Sequence, residues 1–232
     1  MSAWLGFWER DNPIYVSARH RAVHYARVAD DILAVLPEGR DAAVLDYGCG
    51  EALEAGRVAR RTARLYLYDA SRPQRQRLLA RFRESAAIAV LDEAGLAALL
   101  PTSLDLVVVN SVIQYLSRAE LGDLLGRCRS WLKPGGALVV ADVVPPGPQA
   151  VADVKALLAT AWRYGFLFAA VLGLFKATLS DYRTLRSAAG FAVYGEAEML
   201  ALLAEAGFAA RRREANFGFN PARMTFIATR RA

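Results

Sequence analysis

The 232-residue sequence has little cysteine, little histidine and almost no lysine, and it lacks any long unbroken apolar run. Its two cysteines, Cys49 and Cys128, fall in a glycine turn and on an amphipathic stretch. A disulfide-stapled scaffold is therefore excluded, and a reduced, cytoplasmic setting is expected. The two histidines, His20 and His24, are spaced i, i+4 and share a helix face. No third ligand accompanies them, so no metal is expected, and a packing or proton-transfer role is left to each. No stretch reaches the roughly 18 uninterrupted apolar residues of a spanning helix. The first ten residues lack the basic start and apolar centre of a secretion signal. Repeats and low-complexity tracts are absent too. Three lysines stand against 26 arginines, with a net charge of +6. The basic runs at 57–64, 72–83 and 211–213 read as solvated element faces, so nucleic acid is not an expected partner.

What is present is a core. Hydrophobic residues make up 55% of the chain, enough for one large domain or a domain with an insertion. The organising stretch is Val44-Leu45-Asp46-Tyr47-Gly48-Cys49-Gly50-Glu51-Ala52, a buried strand running into a tight turn and then a helix, about 51–61. Gly48 and Gly50 allow close approach of a ligand to the main chain, and the helix N-terminus points N–H groups at the same spot. A second apolar run, Leu65-Tyr66-Leu67-Tyr68, ends at Asp69, where a carboxylate is placed to accept hydrogen bonds from a ribose diol. Asp46 at the end of the first strand suits a cationic or hydroxyl-bearing ligand better than a pyrophosphate.

These residues resemble the class I S-adenosylmethionine-dependent methyltransferases. Asp46 to Gly50 is similar to their first motif, and Asp69 to their ribose-binding acid. Leu91-Asp92-Glu93 sits where the family places an acid near the adenine. Leu104 to Ser111 resembles their fourth strand, and Leu132 to Val140 the turn and strand that follow. The resemblance covers about 44–144, with Ala52 where the family often has a third glycine. It implies S-adenosyl-L-methionine as cofactor and small-molecule methyl transfer. It also implies roles for Asp46 at the methionine end, Gly48, Cys49 and Gly50 under the ligand, and Asp69 on the ribose. Ala70 and Asp92 would lie at the adenine, with Asn110 and Ser111 at the reactive end.

The rest of the chain alternates helix and strand, which predicts an α/β fold with a doubly wound, mostly parallel seven-stranded sheet. The whole of 1–232 reads as one domain, with a helical lid at 1–40 and a helical cap inserted at about 148–192. The first helix is expected over 18–36, and Trp4, Phe7, Trp8 and Tyr15 make the start aromatic. Leu78, Leu79 and Phe82 are expected to face the sheet. Strands are expected at 86–91, 104–110 and 137–144, and the last two, 208–217 and 224–229, as an antiparallel pair.

The cap holds 12 uncharged, mostly apolar residues between Arg163 and Lys176. As a helix they span roughly 18 Å, too short for a ~30 Å hydrocarbon core. They can pack into the cap, wall an apolar pocket or homodimer interface, or dip into a membrane surface. All three lean towards a hydrophobic or lipid-like acceptor. A catalytic base is required only if the acceptor loses its proton during transfer. Tyr115, His20 and His24 are weak candidates by position, as are Tyr15 and Asp142. A nicotinamide dehydrogenase is disfavoured by Glu51 and Asp46 around the turn. A methyltransferase acting on flipped bases would want Asn/Asp-Pro-Pro-aromatic after the fourth strand, where this chain has Asn110-Ser111-Val112-Ile113. A catalytically inactive binding subunit of the same fold is the remaining alternative.

Overall fold

The computed structural model describes residues 15–39, 41–177 and 192–231. The expectations for Trp4, Phe7 and Trp8, for the start of the lid and for the end of the cap lie outside them. Seven strands form one sheet in the order β3-β2-β1-β4-β5-β7-β6. They are β1 (Ala43–Tyr47), β2 (Arg64–Tyr68), β3 (Ile88–Leu91), β4 (Leu104–Asn110), β5 (Leu132–Val143), β6 (Phe208–Arg213) and β7 (Met224–Arg230). The first five run parallel, and β7 lies antiparallel between β5 and β6. The chain order reverses between β1 and β4, which opens a crevice at the carboxyl ends of the strands.

Both faces are covered, which is why the inner strands read as nearly continuous apolar runs. On one face Val44, Leu65, Leu67, Val108 and Val139 pack beneath α1 (Ala18–Leu33), α2 (Ala55–Ala59) and α3 (Arg72–Phe82). On the other, Leu45, Val107, Val109, Leu138 and Val140 meet α4 (Glu93–Ala97), α5 (Arg118–Trp131) and α8 (Glu196–Glu205). The local chemistry explains the helix starts. Ser17 accepts from the His20 amide, Ser71 from that of Gln74 and Asp92 from that of Gly95. At α5, Ser117 and Glu120 close a reciprocal capping box.

Between β5 and α8 stand two further helices, α6 (Ala150–Tyr164) and α7 (Leu167–Ala177). They seat on α1. Phe166 stacks on His20 with ring centres 5.1 Å apart, and Arg19 donates to the Tyr164 carbonyl at 3.2 Å. Gly173 lies so close to Val16 that a Cβ there would come within 2.4 Å of it. Asp153 of α6 pairs with Arg223 at 2.7 Å, tying the helix to the β6–β7 connection. The buried Asp31 of α1 reaches the same connection, accepting from the Gly218 amide and from Arg27, both at 2.8 Å.

Three local expectations need correction. The helix after the glycine turn begins at Ala55, not at 51, because Ala52 takes a left-handed conformation (φ 45°) and breaks the approach. Leu79 is exposed; Gln74 takes the buried place beside Leu78 because its amide donates to the Gly50 carbonyl. β6 stops at Arg213, since Asn216 and Phe217 turn inward to meet Thr225.

Candidate active site

Register sets the site. Tyr47 of β1 lies level with Tyr68 of β2 and Val109 of β4, and Asn110 lies level with Ala141 of β5. The segments that follow therefore emerge side by side: Asp69 after β2, the glycine turn after β1, Ser111 after β4, and Asp142 near the end of β5.

The turn is clasped by its neighbours. The Gly48 and Cys49 amides both donate to the Tyr68 carbonyl, at 2.7 and 3.0 Å. One Asp69 oxygen accepts from the Gly50 amide at 3.0 Å and the other from the Ser71 amide at 2.9 Å. The Tyr25 hydroxyl of α1 accepts from the Glu51 amide at 2.8 Å and also takes a hydrogen bond from Tyr15. Gly48 and Gly50 both have positive φ (80° and 57°). A Cβ on Gly48 would sit 2.2 Å from Val112 Cγ2, and one on Gly50 2.7 Å from the Tyr25 hydroxyl. The glycines are thus required by the chain's own packing, a reason separate from close approach of a ligand.

Charge at the site is unbalanced. Asp46 is buried and accepts no hydrogen bond from any described side chain or amide. Burial, and then the charge of Asp69, pushes its carboxyl up to about 7. Burial also raises Asp69, opposed by the Ser71 and Gly50 amides and by Arg75. Beside these acids Asn110 Oδ1 is buried with no partner among the described residues, and Gln114 Oε1 just beyond it is in the same condition. The crevice holds acceptors without donors, and a cation or a ligand rich in N–H and O–H groups would complete them.

Two residues beside Asn110 are strained. Ser111 and Asp142 both have positive φ (57° and 58°), although neither is glycine. Asp142 sits where the β5–β7 register shifts between Val140 and Val143, a bulge that re-aims its side chain. The Ser111 hydroxyl donates to the Asp142 carboxylate at 2.8 Å, and the Asp142 amide donates to Asn216 Oδ1 at 3.3 Å. Burial raises the Asp142 carboxyl, against the pull of Arg223 and of the Ser111 and Asn216 hydrogen bonds. Non-glycine strain of this kind persists only where the surroundings enforce it, and it clusters at functional sites.

The remaining expected residues are spread around this centre. Ala70 is exposed directly after Asp69. Asp92 is exposed and caps α4 through Oδ1, accepting from the Gly95 amide at 2.8 Å. Cys49 is buried and its thiol is pushed well up by burial, so it offers no thiolate. His20 and His24 lie with Tyr15, Tyr25 and Phe166 in one aromatic cluster. Burial lowers both histidines, His24 to about 4, so both are neutral at pH 7. Tyr115 is half-buried in a 3-10 turn after β4 (Ile113–Tyr115). Among the described residues no group of three or more His, Cys, Asp and Glu could hold a metal ion. Two contributors, Tyr25 and Gln74, had no sequence signal, because each is one polar residue on an ordinary helix face.

The family model for a methyltransferase domain matches residues 44–136, the stretch that carries β1 to β4, the start of β5, the glycine turn, Asp69 and Asn110. Uncharacterized methyltransferases of Mycobacterium tuberculosis and Mycobacterium bovis are 34% identical over 125 residues. The sheet has the Rossmann-like fold of the class I methyltransferases, and residues 44–136 are similar to a methyltransferase domain. The matched stretch spans 53% of this chain and 60% of the mycobacterial relatives. Solved structures agree on the fold. The YcgJ protein of Bacillus subtilis aligns over 90% of this chain and all of its own, with a TM-score of 0.59 and 12% identity. Magnesium protoporphyrin IX methyltransferase of Synechocystis, solved with bound S-adenosylmethionine, aligns over 98% of this chain and 89% of its own, at 0.56 and 16%.

Proposed function

We propose that this protein moves a methyl group from S-adenosylmethionine to a small, apolar, lipid-like acceptor. The observation that carries the cofactor half is the buried, unpartnered Asp46 carboxylate beside Asp69. Two acids forced together in a dry crevice favour a ligand with positive charge and several donors. S-adenosylmethionine has an ammonium, a sulfonium, a ribose diol and an adenine amino group, and it supplies an already activated methyl for in-line displacement.

In this reading Asp46 faces the ammonium end. Asp69 keeps the turn in place through the Gly50 amide while its remaining lone pairs take the ribose hydroxyls. Ala70 lies along the adenine, and the free oxygen of Asp92 takes the adenine amino group. Asn110 and Ser111 line the reactive end, where the orphan Asn110 oxygen waits for a donor. The chain's work is alignment and exclusion of water rather than bond chemistry of its own. Tyr115, His20, His24 and Asp142 remain the candidates for accepting an acceptor proton, and a neutral His20 or His24 can do so.

The acceptor half is supported by the apolar pair α6 and α7, whose connection reaches the first helix where Phe166 stacks on His20. The test is incubation of purified protein and S-adenosylmethionine with fractionated lipid and aqueous extracts, followed by mass spectrometry. Products one methylene heavier in the lipid fraction support the proposal. Products confined to water-soluble metabolites would overturn the acceptor half. Cofactor binding without any product would favour the non-catalytic subunit.

A further inference from the structure

We propose that Arg75 is a positioning residue that sets the spacing and the base selectivity of the adenine slot. This role rests on the proposed placement of adenine between Ala70 and Asp92. Arg75 stands near the start of α3, and its side chain is only 12% exposed. Its Nη1 donates to two successive carbonyls of the segment after β2, Asp69 at 2.7 Å and Ala70 at 3.0 Å. Its Nη2 donates to Glu93 at 3.1 Å, in the segment after β3. The guanidinium also lies over the Tyr68 ring, 5.8 Å from its centre, and the Tyr68 hydroxyl donates to the other Glu93 oxygen at 3.4 Å. One planar side chain thus ties together the ends of two paired strands, with Ala70 on one side and Asp92 on the other. A lysine has no second nitrogen with which to hold both.

The clamp decides which groups face a base. Arg75 already occupies the Asp69 and Ala70 carbonyls. Asp92 Oδ1 accepts from the Gly95 amide, so its other oxygen is the acceptor left for the ligand. An adenine amino group is a donor and suits that oxygen. A base with a carbonyl in the same place would set oxygen against oxygen and leave the carboxylate without its donor. The preference holds only while Asp92 keeps its distance from Ala70. Glu93 is the next residue in the chain, and through it Arg75 fixes that distance. The same guanidinium acts on the ribose acid too. Burial raises the Asp69 carboxyl, and the charge of Arg75 opposes the rise, which favours the ionised form.

The experiment is calorimetric titration of the full chain with S-adenosylhomocysteine and with S-inosylhomocysteine, whose base carries a carbonyl in place of the amino group. Wild type should prefer the adenine ligand by about tenfold or more. Arg75→Lys keeps the charge and loses the fork, and Glu93→Ala removes the far anchor. Each should weaken the adenine ligand and narrow the preference to about threefold or less. The Glu93 side chain is 64% exposed, so Glu93→Ala should melt close to wild type and carries the test if Arg75→Lys unfolds. The double variant should lose little more than either single one, because both act on one contact. Equal losses for the two ligands, with the preference unchanged, would overturn the proposal and leave Arg75 a structural tie. So would wild-type affinities in both variants, or a wild type that binds both ligands equally. A wild type that binds neither would instead overturn the cofactor reading on which the proposal rests.

Discussion

Placing alanine at Gly48 tests the geometry of the glycine turn, because two separate costs meet there. The backbone there is left-handed, with φ 80°. An alanine in that region costs about 1–2 kcal/mol. The new Cβ would also fall 2.2 Å from Val112 Cγ2, so the turn or Val112 must move. Overpacking of that kind costs about 1–3 kcal/mol. Gly48→Ala should therefore destabilise the protein by about 2–5 kcal/mol. Val112→Ala removes Cγ2 and leaves Val112 Cβ at an ordinary 3.6 Å from the added methyl. In that background Gly48→Ala should cost only the backbone share, about 1–2 kcal/mol. Denaturant unfolding of wild type, both single variants and the double variant gives the coupling, expected at about 1–3 kcal/mol in favour of the double. Calorimetric titration with S-adenosylmethionine should show the same pattern, weak binding in Gly48→Ala and partial recovery in the double variant. A coupling below about 0.5 kcal/mol would refute the reasoning, since the two side chains would then not compete for one space.

Asp46 makes a pH prediction. Its carboxyl rises from an ordinary 3.8 to about 7 on folding, so the neutral form is favoured in the folded chain. Its contribution to stability is complete below pH 4 and fades as pH rises through 7, by something of the order of 4 kcal/mol. Unfolding curves across that range should slope in wild type and flatten in Asp46→Asn. A cationic ligand reverses the preference, so cofactor affinity should climb up to about pH 7 with proton release, measured by calorimetry in buffers of different ionisation enthalpy. Tyr25→Phe deletes the acceptor for the Glu51 amide and should cost about 1–3 kcal/mol, with faster hydrogen exchange at that amide and weaker cofactor binding.

The order of strands and the crevice were legible because their signals are local. Apolar runs ending in Asp46, Asp69 and Asn110 alternate with capped helices, and that alternation admits few topologies. The doubly wound, mostly parallel seven-stranded sheet and the antiparallel β6–β7 pair follow the expected pattern. What escaped depends on long-range contact. Tyr25 reaches the turn from 26 positions upstream, and nothing in the sequence around it marks it. Gln74 displaced Leu79 from the sheet side because one carbonyl at Gly50 needed a donor. Asp142 reads as one polar residue in an apolar strand; its strained backbone and its bond to Ser111 come from the bulge against β7. The apolar stretch of α7 was plain as composition, but which of its sides packs inward is decided by where α1 lies.

The account stands on a sulfonium nucleoside held between the ends of the first two strands. Titration of S-adenosylmethionine into Asp69→Ala, beside wild type, tests it most directly. Losing the ribose acceptor and the Gly50 tether together should weaken binding by about 10- to 100-fold, while the fold stays intact by circular dichroism. Wild-type affinity in Asp69→Ala would contradict the account and move the ligand elsewhere.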